Sequence, residues 1–179
     1  MAAWAWLAIA GAILALAGLA LGGLALWRHT ERTSILNLIG RREELAAARK
    51  SLEETIELLA DADNRTLMRF ETDREDVNRR ALSDAAAQAA LLRDELDTKA
   101  LPARVIPAAE ALADAAWYLE AEVARLGGNQ RVSEIRESLA AVNLGQFDAA
   151  LIDADRSLSE ACAQCQIQDK SVYGGGLYV

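Results

Sequence analysis

Alternating runs of β-branched residues are missing from this chain, so sheet-forming segments have little to build on. Only two prolines occur, Pro102 and Pro107, and aromatic residues make up just 5% of the chain. One histidine, His29, is too few for the paired Glu-x-x-His motifs of a di-iron bundle. No glycine sits among alternating acidic residues in the manner of a calcium loop. A glycine-rich phosphate loop and a Gly-x-Ser-x-Gly elbow are likewise absent. The sequence therefore offers no carrier for catalysis and predicts a non-enzyme, with no cofactor, no metal and no evident small-molecule substrate.

Charge is absent from one place above all. From Trp4 to Trp27, twenty-four residues carry none. As a helix they rise about 36 Å, enough to cross a bilayer core about 30 Å thick. A cleaved leader would have a basic start and an apolar run of about 7–15 residues. Small residues at 21–25 would suit cleavage, but the run is too long and nothing basic precedes it. It reads as a retained anchor. Positions 1–3 then form a short exoplasmic terminus and 4–27 a transmembrane helix. Ala8, Gly11, Ala15, Gly18, Gly22 and Ala25 recur every three or four residues. They form one small-residue face on which two helices can approach closely in lipid.

The flanks orient this anchor. Residues 28–50 hold six basic side chains, including Arg28, Arg32, Arg41 and Arg42, against three acidic ones. Positive loops stay in the cytoplasm, so everything after Trp27 is expected inside the cell membrane. Trp4, Trp6 and Trp27 stand at the run's two ends, where amphipathic rings prefer the headgroup region. Arg28, Arg32, Arg41 and Arg42 are the expected contacts for lipid headgroups, unless they serve only the orientation bias. With a net charge of −8 overall and +3 over residues 28–50, residues 51–179 carry −11. That excludes a nucleic-acid partner, which needs a positive face to displace phosphate counterions.

The remaining residues are rich in Ala, Leu, Glu and Arg, which lose little freedom in a helix. An all-α cytoplasmic bundle of about five helices over residues 28–168 is expected. Leu38, Leu45, Leu52 and Leu59 recur every seven residues, widened by Ile35 and Ile56. This is one buried seam, either inside the bundle or in a coiled coil with a second copy. Asp61-Ala62-Asp63-Asn64 is placed to stop that helix and cap the next. A second stripe (Leu67, Phe70, Val77, Ala81, Ala85, Leu92, Leu96) predicts one helix from 64 to about 99, forming an antiparallel hairpin with the first. Pro107 opens a third helix using Ala108, Leu112, Ala115, Leu119, Val123 and Leu126, stopped at Gly127-Gly128-Asn129. A fourth uses Val132, Ile135, Leu139 and Val142; a fifth starts near Phe147 with Ala150, Leu151, Ala154 and Leu158.

Leu144-Gly145-Gln146-Phe147-Asp148-Ala149-Ala150-Leu151 resembles the inter-helix turn of a tetratricopeptide repeat. The resemblance implies that Gly145 ends the first helix, Phe147 packs inside the pair and Ala150 allows a close crossing. Glu137 and Ser138 depart from the family's usual leucine and glycine. Only one unit is visible, where stacked solenoids need several, so an ordinary bundle corner is the favoured account. Cys162-Ala-Gln-Cys165 puts two sulfurs on one helix face, half a zinc site or a redox couple, though structural thiols are expected in a reducing cytoplasm. The acidic runs Glu53–Asp63 and Glu71–Asp76 read as solvated helix faces. Residues 169–179 leave helix behind three consecutive glycines. Their last three, Leu177, Tyr178 and Val179, suit strand addition to a partner's sheet edge, folding back on the bundle, or neither.

Together these features predict a single-pass, membrane-anchored scaffold, adaptor or regulatory protein whose partners are lipid and other proteins. The alternative is a small accessory subunit held in a larger membrane complex mainly through its transmembrane helix. A third reading is a metal or redox protein using the CxxC pair.

Overall fold

The computed structural model describes residues 2–96, 98–126 and 131–167, with side chains of residues 1–20 and Leu24 outside the description. Every regular element among them is helical: α1 (Ala2–Ala60), α2 (Asn64–Thr72), α3 (Val77–Glu95), α4 (Ile106–Leu126), α5 (Val132–Ala141) and α6 (Gly145–Cys165), with one 3₁₀ turn at Thr98–Ala100. Among the described residues no helix is long and apolar enough to cross a membrane.

The first departure from the sequence reading is that the uncharged run and the first amphipathic stripe form one uninterrupted helix of 59 residues. Nothing between Trp27 and Ile39 breaks it, since the segment has neither glycine nor proline. Thr30 and Thr33 hydroxyls donate to the carbonyls of Leu26 and His29, one turn back. Their polar groups are thus satisfied without leaving helical geometry.

The second departure is that the helix expected over 64–99 is two. Asp73 accepts from the Glu75 amide at 2.9 Å, and Asp76 caps α3 by accepting from Asn78 and Arg79. Short acidic side chains thereby offer the backbone a competing set of hydrogen bonds. Arg79 folds back to donate to the carbonyls of Phe70 and Glu71 at the end of α2. The break shifts the phase of the stripe. Val77, expected inside, is 77% exposed, while Leu82, Ala85, Ala89 and Leu92 are buried.

Four of the helices form a bundle. Arg42 and Arg49 of α1 pair with Asp155 and Asp148 of α6, so a step of one heptad along α1 is one heptad backwards along α6. Arg41 pairs with Glu95 at the end of α3. Hence α1 and α4 run one way and α3 and α6 the other. The helix α4 is the centre of the bundle. Ala108, Ala109, Leu112, Ala115, Ala116 and Leu119 are fully buried on it, a small-residue surface that lets α3 and α6 pack close. The heptad leucines Leu38, Leu45, Leu52 and Leu59 all lie in this intramolecular core. The seam is therefore closed within the chain, and no coiled-coil partner is needed to cover it.

The short helices α2 and α5 close the end of the bundle far from the uncharged run. Asp63 caps α2 by accepting from Thr66, as the acidic cluster predicted. Arg136 of α5 donates to the Ala62 carbonyl and Asn64 side chain. Pro107 lies in the first turn of α4, within one residue of its expected place.

Candidate functional site

At the opposite end of the bundle α1 emerges bare. Three segments that are far apart in sequence meet there: the turn before α4, the end of α6, and residues 21–32 of α1. Between them lies a cleft of about 700 Å³ lined by Leu21, Ala25, Trp27, Arg28, His29, Glu31, Arg32, Arg104 and Gln164–Gln166. Leu21, Ala25, Arg28 and Arg32 sit four, three and four residues apart. They form a single stripe on α1 that passes from apolar to basic.

Glu31 is the unusual member. It is 2% exposed, yet its carboxylate has only two thin contacts. Arg104 Nη1 is 3.5 Å from Oε2, and the Cys165 thiol is 3.8 Å from the same oxygen. Its other oxygen, Oε1, is buried with no donor among the described residues. A carboxylate has about four lone-pair positions. Burying one with so few of them met is costly unless a donor arrives. The other buried acid, Glu122, is better served, taking the Asn143 amide at 3.3 Å and Arg125 at 3.1 Å.

The basic groups at this end have different duties. Arg32 donates through Nε and Nη2 to the Cys165 carbonyl at 3.4 and 3.2 Å, meeting one of the open carbonyls at the end of α6. That helix closes through Gln166 in the left-handed conformation (φ 53°), whose successor Ile167 donates to the Cys162 carbonyl. Arg104 lies 5.3 Å over the Trp27 ring, a cation–π contact that holds the guanidinium at the cleft. Arg28 has no carboxylate within ion-pair distance among the described residues.

Of the four arginines expected to meet lipid, the structure brings only Arg28 and Arg32 to this cleft. Arg41 is engaged by Glu44 and Glu95. Arg42 makes a two-pronged pair with Asp155 at 2.8 and 2.9 Å. Both are cross-links of the bundle, a use that no local pattern in the sequence reveals. Arg49 serves likewise: its hydrogen bond to Asp148 raises its pKa above the ordinary arginine value, against the opposing effect of burial. Glu31 and Arg104 were missed as site residues. They are 73 positions apart, and only the return of the chain after α3 joins them.

Cys162 is fully buried in the core and Cys165 is half-buried, and both are thiols. Among the described residues no three His, Cys, Asp or Glu side chains are grouped to hold a metal ion. At the turn between α5 and α6, Gly145 begins α6 rather than ending α5, as the repeat resemblance had it. Asn143 closes this turn by accepting from the Gly145 amide, so the corner is an Asx turn in a bundle. Phe147 is buried, as that resemblance implied. On the small-residue face, Ala8, Gly11, Ala15 and Gly18 lie outside the described side chains. Gly22 and Ala25 are exposed, and a Cβ built on Gly22 would meet nothing within 4 Å. The tail Leu177, Tyr178 and Val179 lies outside the described residues.

Compared with known proteins, the chain matches no family model, no curated protein and no solved structure.

Proposed function

We propose that the chain is a single-pass membrane protein whose helical bundle works on the cytoplasmic face as a scaffold or adaptor for other proteins. The observation that carries this reading is the continuity of α1. The uncharged run from Trp4 to Trp27 continues without a break into the helix that supplies the bundle's seam. Such a joint holds the bundle at a defined height and angle instead of on a tether. Apolar side chains left outside the core, among them Leu36, Leu58, Leu91 and Ile152, offer surface for partners.

Alkaline carbonate extraction tests the anchor. The full chain stays with the membrane pellet, while Leu16→Arg, at about 2.5–3.5 kcal/mol for a central arginine, reduces insertion. Release of the unaltered chain into the supernatant would overturn the reading. Protease added to intact cells tests the orientation: residues beyond Trp27 stay protected. Cross-linking in native membranes tests the adaptor role, which falls if the bundle has no reproducible neighbour.

The open face at Gly22 favours a second reading, an accessory subunit gripped through its membrane helix. Among the described residues nothing lies within 4 Å of a Cβ built on Gly22. Gly22→Leu leaves the bundle's unfolding unchanged. If a neighbouring helix packs there, the same substitution abolishes co-purification of that subunit. The metal or redox reading of Cys162 and Cys165 finds no third ligand among the described residues.

A further inference from the structure

The cleft at the base of the bundle has two sides of opposite sign. On one side stands Glu31, with a buried oxygen that has no donor among the described residues, while the Cys165 carbonyl beside it at the end of α6 is already met by Arg32. An unmet carboxylate oxygen favours a cation that can donate hydrogen bonds. On the other side stand Arg28, without a carboxylate partner among the described residues, and Arg104, held over Trp27. These favour an anion, and guanidinium matches phosphate in charge and geometry. The third side is apolar, made of Leu21 and Ala25, which lead along α1 into the uncharged run. One small group answers all three: a primary ammonium two carbons from a phosphate diester, carried on an acyl chain.

We propose that this cleft binds the phosphoethanolamine headgroup of a phospholipid. The ammonium meets the Glu31 carboxylate beside the end of α6, the phosphate meets Arg28 and Arg104, and the chain runs along Leu21 and Ala25. A choline headgroup has the cation but no N–H to give Glu31. A glycerol headgroup has the phosphate but leaves Glu31 without an added cation. The site thus selects among lipids that a simple basic collar would not tell apart. This inference rests on the reading of residues 4–27 as a membrane anchor.

The test uses the full chain in detergent micelles, titrated with phosphatidylethanolamine, phosphatidylglycerol or phosphatidylcholine and read by native mass spectrometry. Phosphatidylethanolamine binds about tenfold more tightly than phosphatidylcholine, the worth of one charged hydrogen bond. Glu31→Gln keeps the shape of the side chain, and circular dichroism checks its fold. It brings the two lipids to within about twofold. Arg28→Gln combined with Arg104→Gln weakens all three lipids. Equal or tighter binding of phosphatidylglycerol, or an undiminished preference in Glu31→Gln, would overturn the proposal. Glycerophosphoethanolamine, which lacks acyl chains, binds more weakly than the lipid; saturation at equal concentration overturns the lipid assignment. Carbonate extraction from membranes lacking phosphatidylethanolamine reads the anchor alone, so its failure is distinguishable from failure of the headgroup site.

Discussion

Two stretches of the same helix meet opposite fates. From Glu31 to Leu59, α1 buries a residue at nearly every turn, and its polar side chains reach across to other helices. From Leu21 to Thr30, no described side chain of α1 is buried. The backbone conformation is the same in both. What differs is who supplies the neighbours: four helices, α3, α4, α5 and α6, pack against the first stretch, and none of the described residues buries the second.

The largest test of this contrast is truncation of an equivalent side chain on each stretch. Leu52→Ala removes a fully buried side chain and lowers stability by about 2–5 kcal/mol. Leu21→Ala, at a position 69% exposed, changes it by no more than about 0.5 kcal/mol. Urea unfolding of the full chain in micelles compares the two, and equal losses would erase the distinction. Next in size is the cross-link between α1 and α6. Arg42→Ala strands the Asp155 carboxylate, which is only 11% exposed, and costs about 1–3 kcal/mol. Adding Asp155→Asn recovers part of that loss, and the double-mutant cycle reads the coupling.

Smaller, and opposite in sign, is the effect expected where the clothed and bare stretches join. Glu31→Leu removes a buried carboxylate with an unmet oxygen, so lipid-free stability is unchanged or rises by about 1 kcal/mol. A clear loss would mean that the carboxylate is already satisfied within the chain. The smallest effect lies at the far end. Hydrogen bonds from the Thr66 side chain and then its backbone amide lower the Asp63 pKa below its ordinary 3.8. Because the folded-state pKa is depressed, the cap's contribution is full above about pH 4 and is lost as pH falls through the folded value. The difference in melting temperature between the parent and Asp63→Ala therefore shrinks on acidification from pH 7 to below 3.8. A difference that does not change with pH would show that the charge is immaterial to the cap.

Local chemistry made much of this legible. The leucine heptad, the Asp63 cap and Pro107 each act over one or two turns, a range that sequence displays directly. The break at Asp73–Asp76 was also local but carried no glycine or proline to mark it. It depends on two aspartates competing for backbone amides and on Arg79 closing the end of α2. With that break missed, Val77 beside it was expected inside, whereas Ala85 and Leu92 further along the stripe are buried as expected. The arginines were harder still. Arg28 and Arg42 are alike as letters in a basic collar, and only the approach of Asp155 on α6 makes one a bundle cross-link.

By itself the sequence determined that the chain is helical, where its polar faces lie, and that twenty-four residues carry no charge. These follow from propensity and periodicity, which need no partner. Tertiary structure alone decided that the uncharged run and the bundle share one helix axis. It decided too that Arg41 and Arg42 are consumed internally, and that Glu31 meets Arg104 and the end of α6 beside Trp27. The reason is physical. A cleft is made by chain segments brought together from a distance, and the unmet oxygen of Glu31 exists only once other helices have closed over it.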